Sequence, residues 1–169
     1  MTTRHLFVVY GLDVLIVVLT IGAAASANVE RTREPFPRLQ LLLPGLLASA
    51  AAVILLSYPD IRDLADPGVW LVSTVGLLAG ACRGALMRMD CDHTVRIVRV
   101  WRGNDAAWAG WVMVLFAVIQ GSIETALRAG NPYETTAEAV MLLTGGYLLG
   151  RSIVSWLRAR AMPHLDLKG

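Results

Sequence analysis

Five polar or ionisable side chains interrupt apolar stretches of the sequence and are its strongest candidates for chemistry. If the stretches cross a membrane in alternating directions, Asp13 and Glu124 lie toward one face, with Gln120 one turn deeper. Arg83 and Arg151 lie toward the opposite face. Charge at membrane depth is costly, so such residues are functional candidates by default. Two interpretations stand side by side. One is a polar cluster between helices that conducts protons or ions or contacts a lipid head group; the other is snorkelling of each side chain to the nearer interface.

These side chains must be positioned by long apolar segments, which fill most of the 169 residues. A helix needs about 20 mostly apolar residues to cross a bilayer, and five stretches reach that length: 6–28, 39–58, 69–89, 106–129 and 135–157. The composition agrees, with 56% hydrophobic and 17% charged residues and a mean hydropathy of +0.57. The sequence therefore predicts an all-α polytopic membrane bundle with five transmembrane helices in a single domain, residues 1–169.

The orientation of the predicted bundle follows from its basic residues. If there are five spans, one side carries ten Lys and Arg and the other side three, which are Arg4, Arg62 and Arg128. The larger set is Arg31, Arg33, Arg38, Arg88, Arg96, Arg99, Arg102, Arg158, Arg160 and Lys168. Cytoplasmic connectors carry the excess of basic residues. The expected arrangement is an N-terminus outside, a C-terminus in the cytoplasm, and a location in the bacterial cytoplasmic membrane.

The first span also has features of a secretory signal. Ala25, Ser26 and Ala27 after an apolar run mimic a cleavage site. Asp13 interrupts that run, and the charge distribution fits better if the segment is retained. The expected outcome is retention, with cleavage of residues 1–27 as the alternative.

Glycines recur at helical spacing in the third and fifth spans. Gly76, Gly80 and Gly84 lie four residues apart, and Gly146 and Gly150 repeat the spacing. Residues four apart share a helix face, and small residues there let another helix approach closely. Helix packing is therefore the predicted role of both stripes.

The third connector combines basic residues with β-branched ones. In residues 94–104, a helix would put Arg96, Arg99 and Arg102 on one side, with Trp101 on the other, and would lie on anionic lipid. The Val and Ile content, with a turn signal at 103–104, is equally typical of a strand or hairpin. In either form these residues are predicted to contact lipid phosphates or an acidic partner.

Cysteine and histidine chemistry is sparse. Cys82 and Cys91 do not form a C-x-x-C pair, so free thiols are expected and a thiol enzyme is the weakest functional hypothesis. Residues 90–93 offer metal-ligand types, but no second donor group accompanies them. No histidine lies deep in a span as a haem ligand would, and no catalytic sequence motif is present. The sequence predicts no enzyme activity, no cofactor and no metal.

The central region resembles the CcdC-like family of small bacterial membrane proteins. The matching residues are Gly76, Gly80, Arg83, Gly84, Arg88, Asp90 or Asp92, Val98, Gly103 and Trp111. The family is named for a link to cytochrome c biogenesis, so the resemblance implies a small helical membrane protein with that association. A basic residue expected in the fourth span of such proteins has no clear counterpart here, where Glu124 appears instead.

Two functions from different classes follow from these features. The first is an accessory or assembly protein that packs against a larger membrane complex, either respiratory, photosynthetic or related to cytochrome biogenesis. The second is a small oligomeric transporter or channel in which Asp13, Gln120 and Glu124 line a polar path. The expected partners are membrane lipids and a membrane protein, with a homo-oligomer as an alternative. The net charge of +2 does not indicate nucleic-acid binding.

Overall fold

The structure is a computed structural model that describes residues 3–57, 67–101, 103–126, 132–165 and 167. Within these ranges the chain forms five helices, which are α1 (Thr3–Asn28), α2 (Leu43–Leu56), α3 (Pro67–Leu86), α4 (Asn104–Ala126) and α5 (Pro132–Ala161). Short 3₁₀ turns occupy Val29–Arg31 and Arg38–Leu41. Residues 58–66 and 127–131, which contain the predicted outer connectors, lie outside the described residues.

Four segments of the described chain are long and apolar enough to cross a membrane: Tyr10–Arg31, Arg38–Leu56, Pro67–Leu86 and Thr136–Ala161. This finding is compatible with the predicted integral membrane protein. Helix α4 is not among these four segments of the described chain, so the count of five spans stays a prediction.

Helix α5 lies at the centre of the bundle and contacts α2, α3 and α4, while α1 packs on α2 and α4. The core between these helices is built mainly from alanine, with a few larger side chains at its centre. Its fully buried members include Ala23, Ala27, Ala48, Ala51, Met113, Met141 and Leu148. Small core residues allow the helix axes to approach closely.

The two glycine stripes face each other where α3 packs on α5. A Cβ atom added at Gly84 would lie 2.7 Å from the carbonyl oxygen of Arg151, and one at Gly146 would lie 2.6 Å from that of Ser73. Gly76, Gly80 and Gly150 leave still less room, because their added Cβ atoms would overlap backbone atoms of the opposite helix. The stripes thus bring the two helix backbones into direct contact.

A small antiparallel sheet covers one end of the bundle, so the chain is mostly helical rather than all-α. Strands β1 (Phe36–Pro37), β2 (Arg88–Asp92) and β3 (Ile97–Trp101) pair in the order β1–β3–β2. Of the two forms left open for the third connector, the structure contains the hairpin. Its turn spans residues 93–96 rather than 103–104, and Arg96 there has a φ of 57°.

The sheet forms because buried and exposed residues alternate along β3, as expected for a strand with one covered face. Val98 and Val100 are fully buried, whereas Trp101 is exposed. The two valines pack with Met89 and Cys91 of β2 and with Phe36 of β1 in a second apolar core. A helix would have placed Val98 and Val100 on different faces.

The sheet also brings together the three segments that carry most of the basic residues. β1 belongs to the first connector and pairs with β3 of the third connector. The C-terminal tail joins β2 through a bridge between Cys91 and His164, and the N–H of Leu165 donates to the carbonyl of Cys91 at 2.9 Å. These segments therefore meet at one end of the bundle. The assignment of that end to the cytoplasm stays a prediction.

Candidate functional site

A buried network of charged side chains lies where the bundle meets the sheet, and Arg151 is its centre. The Arg151 side chain is fully buried in α5. Its Nη1 donates to Oε1 of Glu30 at 3.0 Å, and its Nη2 donates to Oε2 of the same carboxylate. Its Nε donates to Oδ2 of Asp105 at 2.7 Å. One guanidinium therefore holds two carboxylates, one of them with both of its oxygens.

Two further side chains complete the network around Asp105. The hydroxyl of Tyr147 donates to Oδ2 of Asp105 at 2.8 Å, and Nη2 of Arg83 donates to Oδ1 at 3.2 Å. All four oxygens of the two carboxylates thus accept a hydrogen bond. The two arginines balance the two acids in charge. Arg151 and Glu30 are buried and require this pairing, whereas Asp105 is partly buried and Arg83 is partly exposed.

Local structure explains how the two acids reach Arg151. Glu30 lies in the 3₁₀ turn that follows α1, and Asp105 lies in the first turn of α4. Gly103 leaves space for the glutamate, because a Cβ atom there would be 2.8 Å from the Cβ of Glu30. The network consequently links the ends of α1, α3 and α4 to the middle of α5.

The C-terminal end of α3 is held by a further arginine of α5. Nη1 of Arg158 donates to the carbonyl oxygens of Gly84 and Met87, each at 2.9 Å. The last carbonyls of a helix have no partner within the helix, so this side chain satisfies that of Gly84 and also binds Met87, which follows the helix. Arg158 thus holds the C-terminal end of α3 to α5 beyond the glycine contact.

Comparison with protein-family models, curated proteins and solved structures found no match. The resemblance to CcdC-like proteins therefore stays a prediction. The structure places Gly76, Gly80, Arg83 and Gly84 on α3 and Arg88 with Asp90 or Asp92 on β2. Val98 lies on β3, Gly103 directly precedes α4, and Trp111 lies on α4.

The predicted intramembrane residues divide between two places. Arg83 and Arg151 join the buried network, and burial of Arg151 contradicts snorkelling for that side chain. Asp13 lies across from α4, with its Cβ 3.7 Å from the position of a Cβ added at Gly121, and the neighbouring Gln120 is buried. The side chain of Glu124 lies outside the described residues.

A shallow groove of about 300 Å³ lies between α1 and α4 beside Asp13. Apart from Asp13 and Tyr10, its lining is apolar or small: Val14, Val17, Val18, Ala117, Val118 and Gly121. The groove and the arginine network occupy different parts of the bundle, as the unequal depths of the acids and arginines in the sequence indicated.

Sequence reasoning missed the acidic half of the network. Glu30 and Asp105 lie just outside the apolar stretches and therefore resembled ordinary connector charges. The sequence does contain a signal for this pairing. Both acids lie at the ends of predicted spans, on the membrane side that is nearer to Arg151. Buried charges require partners, and the nearest acids at that level were these two.

A second polar cluster fixes the tail to the sheet. Nδ1 of His93 accepts a hydrogen bond from Arg38 at 2.7 Å, and its Nε2 donates to the carbonyl of Met162 at 2.6 Å. The N–H of His93 donates to Nδ1 of His164 at 3.2 Å. Across the described part of the chain, no three His, Cys, Asp or Glu side chains converge on a position for a metal ion. The cluster is a structural contact between the hairpin and the tail.

The two cysteines are free thiols, as predicted, and differ in environment: Cys91 is buried in β2, and Cys82 is exposed on α3. Burial raises the pKa of the Cys91 thiol, and the thiolate is the reactive form. In a Cys82→Ser variant, N-ethylmaleimide should modify Cys91 at least about tenfold more slowly in folded than in denatured protein. Mass spectrometry of the time course measures this ratio, and equal rates would contradict the burial of Cys91.

Asp92 should make the hairpin turn sensitive to acid. Burial opposes its ionisation, but the N–H groups of Val95, Thr94 and Leu167 outweigh burial and lower the pKa of the carboxyl below its ordinary value. A lowered pKa means that the folded state favours the ionised form, so this stabilisation is present at neutral pH and is lost on acidification. Hydrogen exchange of residues 93–96, corrected for intrinsic rates, should increase toward about pH 3.

An Asp92→Asn variant is the control for this prediction. It should exchange faster at neutral pH and lose the pH dependence, since the amide cannot ionise. An unchanged pH profile in the variant would show that another group is responsible.

Proposed function

We propose that this protein is an accessory or assembly subunit that packs laterally, through the outer face of α3, against a larger complex in the bacterial cytoplasmic membrane. The supporting observation is the one-sided packing of α3. Among the described helices it packs chiefly on α5. Only 17% of its most apolar segment is buried, compared with 44% for the corresponding segment of α5.

The outer face of α3 is apolar along its length. Its exposed large residues are Trp70, Leu71, Val75, Leu77, Leu78 and Leu86. Helices that pack in a membrane do so through close contact over such a surface. A partner helix can therefore lie along α3 without displacing any contact within the bundle.

The interior of the protein supports a structural role. Every carboxylate oxygen of Glu30 and Asp105 is engaged by an arginine or a tyrosine. The hydrophobic core above this network is built mainly from alanine, methionine and leucine. Such an interior suits a rigid platform, because an aqueous path through one protomer would need polar groups lining that core.

A respiratory, photosynthetic or cytochrome-biogenesis complex is the proposed partner, and the link to cytochrome biogenesis rests on the family resemblance alone. The proposed orientation, with the sheet in the cytoplasm, rests on the gathering of the basic segments at one end.

Site-specific crosslinking in the native membrane tests the proposal. A photoreactive amino acid at Leu78, which is 58% exposed on α3, should form an adduct with one other membrane protein. The matched control is Val53, which is 62% exposed on α2 and should yield no such adduct. Adducts from both positions to many proteins would contradict a specific partner. An adduct between two copies of this chain would indicate a homo-oligomer.

A transporter or channel is the alternative, and the groove beside Asp13 favours it. A polar residue next to a lateral groove is a feature of substrate pathways through membrane proteins. This function would require an oligomer, since the described bundle core is apolar. Unchanged flux in liposomes that contain Asp13→Asn and Glu124→Gln variants would exclude it.

A further inference from the structure

Ten arginines are described at the sheet end of the bundle. One of them, Arg99 on β3, is half-buried, and the other nine form two groups. The inner group contacts other parts of the same chain and consists of Arg38, Arg83, Arg151 and Arg158. The outer group is exposed and consists of Arg31, Arg33, Arg88, Arg96 and Arg160. Within the described ranges, no carboxylate lies within 4.0 Å of a guanidinium of the outer group. These side chains therefore direct positive charge away from the protein.

Three members of the outer group lie against tryptophan rings. The guanidinium carbon of Arg160 lies 4.5 Å from the ring centroid of Trp156 on α5. That of Arg88 lies 5.6 Å from Trp101 across the hairpin, and that of Arg31 lies 5.6 Å from Trp108 of α4. Contact with a ring face restrains the guanidinium and leaves its N–H groups available. The name Arg–Trp collar is used below for these six residues.

The collar combines two chemistries that meet at one level of a lipid bilayer. Indole rings favour the membrane–water interface, where lipid head groups lie. A guanidinium binds phosphate with two parallel hydrogen bonds. The three pairs come from different elements, but all lie at the end of the bundle that carries the sheet.

We propose that the Arg–Trp collar binds the phosphate groups of anionic phospholipids in the leaflet next to the sheet. An acidic protein is the less favoured ligand, because only the Arg88–Trp101 pair lies on the sheet, whereas the other two pairs lie at the ends of helices. The segments that form this end contain ten basic and six acidic residues, and Arg151 and Arg83 engage two of those acids, Glu30 and Asp105. Attraction to an anionic leaflet is the expected consequence.

Native mass spectrometry of the purified full-length chain tests this inference. The probes are phosphatidylglycerol and phosphatidylcholine with identical acyl chains. We expect phosphatidylglycerol to bind more tightly than phosphatidylcholine. In an Arg88→Gln/Arg160→Gln variant, the affinity for phosphatidylglycerol should fall about fivefold for each arginine removed. An Arg33→Gln/Arg96→Gln variant removes the same number of exposed charges without touching the collar, and it should lose less.

Three results would overturn the inference. Equal affinity of the wild type for the two lipids would exclude recognition of the anionic head group, and this comparison requires no variant. Equal losses in the two double variants would show that binding depends on overall charge rather than on the collar. Displacement of the lipid by millimolar inorganic phosphate would identify a site for a free anion. Binding of phosphatidylglycerol is independent of the proposed contact of α3, so the two proposals fail separately.

Discussion

An Arg151→Met variant is expected to lose about 3–5 kcal/mol of unfolding free energy, because it leaves two carboxylates beneath the sheet without their central cation. Glu30 would lose the partner of both its oxygens, and Asp105 would retain only Arg83 and Tyr147. Methionine fills a similar volume, so the loss would come from charge rather than from a cavity. Reversible unfolding in mixed micelles, followed by circular dichroism, measures it.

Two comparisons make this prediction specific. Arg160→Met removes an exposed arginine from the same helix and should change the unfolding free energy by less than about 1 kcal/mol. Adding Glu30→Gln to Arg151→Met removes the uncompensated charge, so the double variant should be more stable than the single variant. If Arg151→Met unfolds like Arg160→Met, the network does not stabilise the fold.

A Gly80→Val variant is expected to separate α3 from α5. A Cβ atom at Gly80 would overlap the backbone carbonyl of Tyr147, which cannot move without displacing α5. The unfolding free energy is expected to fall by about 3 kcal/mol or more, which is the upper limit typical of overpacked sites. Detachment would also break the hydrogen bonds that Arg158 of α5 donates to the carbonyl oxygens of Gly84 and Met87. The same unfolding measurement reports the loss.

Ala79→Val is the matched control for this substitution. Ala79 precedes Gly80 in the sequence but is exposed on the outer face of α3, so the added methyl groups meet no described neighbour. The control should unfold like the wild type. Equal stability of the two variants would show that the glycine stripe does not determine the packing of α3.

The features that the sequence predicts best are those encoded by neighbouring residues. Apolar stretches of helix length predict the helices, and glycines four residues apart predict a close-packed face, because both patterns follow the period of the helix. The sequence did not predict the partner of that face; the structure shows that it is α5, which carries the second stripe. The hairpin was left open because arginine spacing in 96–102 fits a helix, whereas Val98 and Val100 fit a strand.

The buried network could not be predicted in the same way. Glu30 and Arg151 are 121 positions apart, and no local pattern in the sequence relates them. Their pairing depends on the sheet, which brings the first connector beside the third and fixes the ends of α1 and α4. Arg151 was found because it interrupts an apolar stretch, whereas the acids lie in connectors where charge is expected.

The most direct test of the proposed function is the composition of the complex that contains this protein. A tagged form, extracted from its native membrane in a mild detergent, is predicted to purify with other membrane proteins in fixed stoichiometry by quantitative mass spectrometry. Leu78→Trp on α3 should reduce these partners, whereas Val53→Trp on α2 should retain them. Purification of the chain alone, or as an oligomer of itself, would contradict the accessory role and favour transport.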